Sequence, residues 1–362
     1  MTLKDLLNMS VKEASEYNFE NECGVSDYLK LDPFSRYFTY KATADGCQNS
    51  VYKHGDIFAK EAKKFVPHMP DCDGTSGTDV CKLSREIYRK LWGWMDIEGE
   101  KLKRYSVCAD SEFKEMGPDT MNSCKGILNE KVVFKKANQM FAKYKVSSKA
   151  KFSTNFEFEL FSNPETHARF MTELSRIPGL EKYLLAYHTI GNFTLVPAYF
   201  NPYRAGKVND FWDKSLWLLQ NNKWSHTENG AKEIEWENKN FKKYVNTFFM
   251  WDYIDDKENV VVFSEGIEML SDEELAMYIE NVIRKIYNRG IFMYTMLKII
   301  EINSYYYKEL KDNIFSKSDK IYTGYKEVIQ KIKEQKCYLN DGDVRKLFET
   351  EQMQSLEKNN II

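Results

Sequence analysis

The sequence contains few of the residues that interrupt secondary structure. It has 17 glycines and 8 prolines in 362 residues, whereas these two residue types make up roughly 12% of an average globular chain. Tight turns that depend on them are therefore scarce, and long elements are favoured over many short strands. We expect an α+β protein that is predominantly helical, with a small antiparallel sheet and a helical C-terminal region.

A surplus of positive charge is also missing, because 52 Lys and Arg stand against 54 Asp and Glu, for a formal net charge of −2. Proteins that wrap nucleic acid without sequence specificity carry a basic surplus, since release of counterions from the phosphates drives their binding. The net charge therefore gives no support to a nucleic acid or a phosphorylated ligand as partner. A local basic groove stays open as an alternative, because net charge does not report how charge is distributed.

The chain shows neither a signal peptide nor a membrane span. Its opening residues, MTLKD, lead into mixed polar sequence without an apolar stretch. The most apolar run, residues 290–302, is shorter than the about 20 residues that a transmembrane helix needs, and Lys298 interrupts it. We therefore expect a cytoplasmic protein with no membrane segment, in which residues 290–302 belong to the core.

The cysteines lack the spacing of a metal site. Six of the seven precede Gly126, and Cys72 and Cys81 do not form a C-x-x-C pair with a second knuckle. We predict reduced thiols, no bound metal and no cofactor. The run "DCDGTSGTD" contains a D-x-D-G-T pattern similar to the nucleophile motif of haloacid-dehalogenase-type phosphatases, but the prolines before it argue against the buried strand that the motif follows. Residues 71–79 are therefore expected to form a solvated loop.

Two segments have the apolar periodicity and the end signals of helices. Leu83, Ile87, Leu91 and Trp94 recur at helical spacing, with Ser84 as the expected N-cap. A capping box at Ser271 begins a second helix, which we expect to end at Asn288-Arg289-Gly290.

Three regions are distinguished by these patterns. An irregular or mixed region is predicted over residues 1–110, an α+β core over residues 111–270 and a helical region over residues 271–362, with a single domain as the alternative. Within the second region, the alternation at residues 156–160 predicts a half-buried strand, and Asn163 followed by proline predicts the start of a helix.

The densest run of unusual residues is "YHTIGNFTLVPAYFNPYRAGKVNDFWDKSLWLL", residues 187–219. Alternation over residues 188–197 predicts a strand, and Gly191 inside it indicates a bulge or a close approach of another backbone or a ligand. A loop follows, and Asp210 is the expected N-cap of a helix. The predicted buried stripe of that helix consists of Trp212, Leu216, Trp217 and Leu219.

Polar residues lie at both ends of this strand, loop and helix unit, where they can converge in space: His188, Asn192, Asn201, Arg204, Asp210 and Asp213. His188, Asn192 and Asp210 are the catalytic candidates. Asn201, Arg204 and Asp213 are the candidate ligand-binding residues, because the Arg fork offers paired donors to a phosphate or a carboxylate. The structural alternative makes His188 a satisfied core histidine, Asn192 a turn former and Arg204 the ion-pair partner of one of the two aspartates.

The pattern HTIGNF…P…FN…R…D-x-W-D…L resembles the signature of a family of uncharacterised bacterial proteins. "NRGIFM" at residues 288–293 resembles a later patch of that family, and "GPDTMNS" at residues 117–123 resembles an earlier one with Pro118 inserted. The resemblance implies a bacterial protein and supplies no mechanism. The matching residues of the main pattern are His188, Thr189, Ile190, Gly191, Asn192, Phe193, Pro197, Phe200, Asn201, Arg204, Asp210, Trp212, Asp213 and Leu216.

A second, looser pattern, "IGNFTL…FN…K", is similar to the "IGNLTLL…N…K" half of HNH-type nucleases found in some modification-dependent restriction enzymes. There the Asn holds the fold or orients the base, and an upstream Asp-His or Glu-His supplies a general base beside a metal-bound phosphate. The resemblance implies a metal-dependent nuclease that uses His188 or His167 together with Asn192 and Asp210. The upstream D-H-I-x-P or E-H-I-x-P motif is missing from this chain.

Three functions therefore remain open. The first is an accessory or host-defence protein that binds a ligand or a protein partner around residues 187–219. The second is the HNH-like nuclease. The third is a subunit of an obligate oligomer or complex, because aromatic residues make up 15% of the chain and are enriched at interfaces.

Overall fold

The structure is a computed structural model that describes residues 1–23, 78–95, 107–108, 116–121, 176–197, 200, 211–221, 238–255, 257–264 and 271–302. Helices predominate among these residues, and short antiparallel strand pairs accompany them. The α+β class, the helical majority and the small antiparallel sheet are confirmed.

The N-terminal residues form three short helices, α1 (Leu3–Leu7), α2 (Val11–Ser15) and α3 (Glu20–Cys23). Thr2 and Ser10 begin the first two helices through capping boxes, in which a hydroxyl and a carboxylate three residues apart each accept a backbone N–H of the other residue. Apolar residues of both helices are buried. The prediction of irregular structure is therefore wrong for this segment, because its short-range caps define helices that its weak periodicity does not show.

Helix α4 (Lys82–Trp92) begins at Cys81 and not at the predicted cap Ser84. The Cys81 thiol accepts the Ser84 backbone N–H at 3.5 Å, while the Ser84 hydroxyl donates to the Thr78 carbonyl at 2.6 Å. The serine therefore belongs to the first turn of the helix. Gly93 ends the helix in the left-handed conformation, with φ 63°.

Two antiparallel strand pairs lie in the described part of the chain. β1 (Trp94–Met95) pairs with β2 (Val107–Cys108), and β3 (Met116–Thr120) pairs with β4 (Phe193–Pro197). In the second pair Met116 lies opposite Pro197, and Thr120 lies opposite Phe193. All five residues of β4 are buried, so this strand is covered on both faces.

The strand predicted over residues 188–197 begins five residues later than expected. α5 (Leu180–Tyr187) ends at His188, and a 3₁₀ helix (Ile190–Asn192) connects it to β4. The Asn192 N–H closes this turn by donating to the Thr189 carbonyl at 3.0 Å. The first half of the alternating pattern is therefore a helical turn and not a strand. The packing of Gly191 against α8, described below, determines the structure here, and the alternation of apolar and polar residues does not.

Helix α6 (Trp212–Gln220) has no side-chain cap at its N-terminus, and the predicted cap Asp210 lies outside the described residues. Three residues of the predicted stripe are buried: Trp212, Leu216 and Leu219. Trp217 is 36% exposed, so its predicted burial is wrong. It lies one position away from the stripe, on a different face of the helix.

Helix α7 (Asn238–Thr247) and a 3₁₀ helix (Trp251–Tyr253) precede the long helix α8 (Asp272–Ile302). The predicted capping box is confirmed, because Ser271 N–H donates to a Glu274 carboxylate oxygen at 2.8 Å and Glu274 N–H donates to the Ser271 hydroxyl at 3.3 Å.

The predicted end of α8 at residues 288–290 is wrong, since the helix continues for another twelve residues to Ile302. Gly290 lies inside the helix at its contact with Gly191, so the glycine serves close packing and not termination. Residues 290–297 and Ile299 are buried, whereas Glu301 is exposed, so the predicted core segment is confirmed as far as Ile299. Among the described residues, no helix is both long enough and apolar enough to cross a membrane.

A hydrophobic core joins these elements and contains residues from Leu3 to Ile299, drawn from all three of the predicted regions. The Tyr294 hydroxyl of α8 donates to the carbonyl oxygens of Leu7 and Met9, and so attaches the N-terminal helices to the long helix. The boundaries between the three regions stay a prediction. Outside the described residues lie the predicted strand at 156–160, the predicted helix from 163 and residues 303–362 of the C-terminal region.

Candidate functional site

Gly191 brings the 3₁₀ helix into backbone contact with α8. A Cβ atom on Gly191 would lie 1.8 Å from the Ile286 carbonyl oxygen and 2.6 Å from the Gly290 nitrogen, distances that no side chain allows. One of the two predicted explanations for this glycine, the close approach of another backbone, is therefore confirmed.

Arg289, a buried residue of α8, lies beside this backbone contact. Its Nε donates to the Phe248 carbonyl at 2.9 Å, and its Nη1 donates to the carbonyls of Gly191 and Phe193 at 2.8 and 2.6 Å. The guanidinium also lies 6.0 Å from the centre of the Trp92 ring. One cation thus connects α8, the end of α7, the 3₁₀ helix and β4.

His188 lies between a carboxylate and a hydroxyl. Its Nε2 is 3.2 Å from Glu20 Oε1, and its Nδ1 is 2.9 Å from Thr78 Oγ1. The histidine is 2% exposed, and both of its partners are buried as well. The structural alternative given above, a buried histidine with both ring nitrogens satisfied, describes this arrangement.

Glu20 belongs to the N-terminal segment, and two further bonds fix its position. Its second carboxylate oxygen accepts the Asn18 amide at 3.2 Å, and its own N–H donates to the Asn18 side-chain oxygen at 2.9 Å. Phe19 N–H donates to the His188 carbonyl at 2.8 Å. The histidine therefore binds the N-terminal segment through its backbone and its side chain.

Thr78 is held from the other side by the start of α4. The Ser84 hydroxyl bonds to its carbonyl, and the Cys81 sulfur lies 3.2 Å from that hydroxyl. Tyr88 Oη donates to the Asp79 carbonyl at 2.9 Å, and burial raises the pKa of Tyr88 well above its usual range. Thr78 is therefore buried in a polar network and Asp79 is half-buried, which corrects the expected solvated loop for the last two residues of "DCDGTSGTD".

Asn192 is hydrogen-bonded within the fold. Its side-chain amide donates to the Tyr187 carbonyl at 2.8 Å. Its backbone carbonyl accepts the N–H of Met121 at 2.7 Å. These bonds fit the turn-forming alternative, and a catalytic role for Asn192 stays a prediction.

Asp213 is buried at the start of α6 and accepts three hydrogen bonds. Its Oδ2 accepts the backbone N–H groups of Phe263 and Ser264 at 2.7 and 2.8 Å, and its Oδ1 accepts the Ser264 hydroxyl at 2.9 Å. Most of its acceptor capacity is therefore used within the fold, and its predicted part in ligand binding stays a prediction.

Gln220 repeats this arrangement seven residues along α6. Its amide oxygen accepts Val260 N–H at 2.9 Å, and its amide nitrogen donates to the Glu258 carbonyl at 2.8 Å. Residues 258–264 are thereby held along α6 at two points, and we call this contact the α6 seam. Val261, between the two attachment points, is 45% exposed.

The other candidates cannot be placed relative to these groups, because Asn201, Arg204, Asp210 and His167 lie outside the described residues. The structure therefore brings His188 and Asn192 into one turn and locates Asp213 at a separate contact. Glu20 and Thr78, the partners of His188, carried no local signal in the sequence. Arg289 had a weak one, because it lies directly before the most apolar run of the chain, residues 290–302.

A metal site is not found among the described residues, which contain no group of three or more His, Cys, Asp and Glu side chains able to hold an ion. Comparison with protein-family models, curated proteins and solved structures gave no match. Both resemblances given above therefore stay predictions.

Proposed function

We propose that this chain is a binding protein that acts through a protein partner, and not a metal-dependent nuclease. The proposal rests on the α6 seam. Trp217 lies on α6 between the two residues that bind segment 258–264, and Val261 lies on that segment between the same two points. Both side chains are partly exposed.

Exposed tryptophan is the observation that carries the proposal. Tryptophan is the residue type most enriched among interface positions whose truncation weakens binding, and an adjacent aliphatic residue helps to exclude water around it. The neighbouring Trp212 is fully buried, so α6 uses one tryptophan for the core and leaves the other at the surface.

The environment of His188 argues against the nuclease. A histidine that holds a metal, or that acts beside a metal-bound phosphate, needs one ring nitrogen directed at that group. Both nitrogens of His188 lie within hydrogen-bond distance of Glu20 and Thr78, and the described residues offer no cluster of metal ligands beside it.

The partner that we propose is a second copy of this chain. Closed homodimers are the commonest soluble assemblies, and they place one surface patch against the same patch of the partner. The α6 seam suits this arrangement because an aromatic and an aliphatic side chain are both exposed on it. The accessory or host-defence role stays a prediction that self-association neither requires nor excludes.

Sedimentation velocity over about a hundredfold range of concentration tests this proposal. We expect the wild-type chain to form a dimer, and Trp217→Ala to weaken it by about 2 kcal/mol, or about 30-fold in dissociation constant. Trp217→Phe is the matched control, which retains an aromatic ring and should weaken the dimer less. A wild-type chain that stays monomeric at the highest concentration, or a dimer unaffected by Trp217→Ala, would contradict the proposal.

A further inference from the structure

The contact between Glu20, His188 and Thr78 has the composition of a nucleophilic centre. The three residues come from α3, the end of α5 and the 3₁₀ helix Thr78–Val80, and the histidine and threonine are 110 positions apart in the chain. An acid that orients an imidazole, which in turn accepts the proton of a hydroxyl, is the arrangement that activates Ser and Thr nucleophiles.

The neutral form of the imidazole gives the two hydrogen bonds of His188 defined directions. A carboxylate can only accept, so His188 Nε2 carries the proton that faces Glu20. In a neutral imidazole Nδ1 is then the acceptor, and the Thr78 hydroxyl, 2.9 Å away, donates to it. The threonine oxygen therefore has its proton directed at a base.

Thr78 is also held in place independently of the histidine. The Ser84 hydroxyl donates to the Thr78 carbonyl at 2.6 Å, and α4, which carries Ser84, begins just after Thr78 at the Cys81 cap. The nucleophile, the base and the acid thus each have a second attachment to the fold, through Ser84, Phe19 and Asn18 respectively.

We propose that Thr78 is the nucleophile of an acyl-transfer centre, with His188 as general base and Glu20 as the residue that positions the imidazole. Thr78 Oγ1 attacks the carbonyl carbon of an ester while its proton moves to His188 Nδ1. The bond from that carbon to the ester oxygen then breaks, and the proton passes from Nδ1 to the departing alkoxide, which leaves as an alcohol. Water attacks the acyl-threonine by the same route, releases the carboxylic acid and restores the hydroxyl.

Burial restricts the substrate and the rate. Thr78 is 2% exposed, and the Tyr187 ring lies against the His188 ring with 4.3 Å between their centres. The centre therefore takes a small uncharged acyl ester, and acylation proceeds through local opening of the fold.

The test is incubation of the folded full chain with p-nitrophenyl acetate, followed by peptide mapping of acetylated positions. We expect an acetyl group on Thr78 in the wild-type chain and on the introduced hydroxyl in Thr78→Ser, measured below the melting transition. His188→Gln retains a hydrogen-bonding side chain without a base and should slow acetylation at position 78 by at least about 100-fold. Glu20→Gln should slow it less, and Glu20→Asp should recover part of the loss.

Two results would overturn the proposal. The first is a wild-type chain in which Thr78 stays unmodified and no p-nitrophenol is released until the chain unfolds. The second is equal acetylation of Thr78 in the wild type and in a folded His188→Gln variant, because the histidine would then act only as packing. Thr78→Val keeps the shape of the side chain without its hydroxyl, and the thermal melt of this variant measures the structural part of the contact separately.

Discussion

Arg289 and Asp213 both use a buried charge to hold backbone in place, but they do so in different surroundings. Arg289 donates to carbonyls at the end of α7, in the 3₁₀ helix and in β4. Asp213 accepts from two consecutive residues of one extended segment. The cation therefore connects elements far apart in sequence at the centre of the core, whereas the anion attaches a single segment at a partly exposed contact. Loss of the first should destabilise the whole described core, and loss of the second should release only the α6 seam.

The largest effect is expected where the region around Arg289 is packed most closely. Gly191→Ala places a methyl group 1.8 Å from the Ile286 carbonyl oxygen, so the helix and the turn must separate, at a cost of more than about 3 kcal/mol of unfolding free energy. Gly290→Ala is the matched control, because the nearest atom to its new methyl group would be 3.3 Å away. Urea denaturation of both variants measures the difference, and equal stability of the two would contradict the assigned backbone contact.

Removal of Arg289 and of the Asp213 charge should differ in its effect on stability. Arg289→Met leaves three buried carbonyls without this donor and should lower the unfolding free energy by about 3 kcal/mol, since each orphaned buried group costs about 1–3 kcal/mol. Asp213→Asn retains one carbonyl oxygen as acceptor and should cost about 1–2 kcal/mol. Amide hydrogen exchange should also differ, with faster exchange throughout the core in the first variant and at residues 263–264 in the second. Core-wide exchange in Asp213→Asn would show that the seam is not a separate unit.

Alkaline pH should produce the smallest effect, part of it beside Asp213. Burial, followed by the neighbouring Asp213 carboxylate, raises the pKa of Tyr278 well above its usual range, and burial raises the pKa of Tyr287 to about 12. These folded-state values exceed the unfolded value of about 10, so the folded state favours the protonated phenols. Their contribution is complete below about pH 10 and decreases as pH rises toward the folded values. The melting temperature should therefore fall as pH rises from about 10 toward about 12, and Tyr278→Phe should reduce this fall.

The elements that could be predicted are those with short-range causes. The capping box of Ser271 and Glu274 depends on residues three apart and was found where the sequence placed it. The prediction that α8 ends near Gly290 was wrong. A glycine that ends a helix and a glycine that packs against another backbone look the same in sequence. The misplaced Trp217 has a similar cause, because burial on α6 changes between adjacent positions and depends on where segment 258–264 binds.

The candidate site was less accessible to prediction than the fold. His188 was singled out, but its partners lie 110 and 168 positions away, and neither Glu20 nor Thr78 belongs to a local motif. Pairings over such distances are determined by tertiary packing. The buried side chains of Asn192 and Asp213 likewise bond to backbone groups, and a sequence pattern does not give the positions of those groups.

The bond between Tyr294 and Leu7 joins residues 287 positions apart, and this separation has a consequence for synthesis on the ribosome. The N-terminal helices emerge first, but they acquire this contact only after residue 294 has left the exit tunnel. At about 5–20 residues per second, their apolar faces wait tens of seconds for α8. We therefore expect nascent chains that stop before α8 to bind chaperones and to be degraded readily by proteases, and completed chains to fold slowly because so many contacts close long loops.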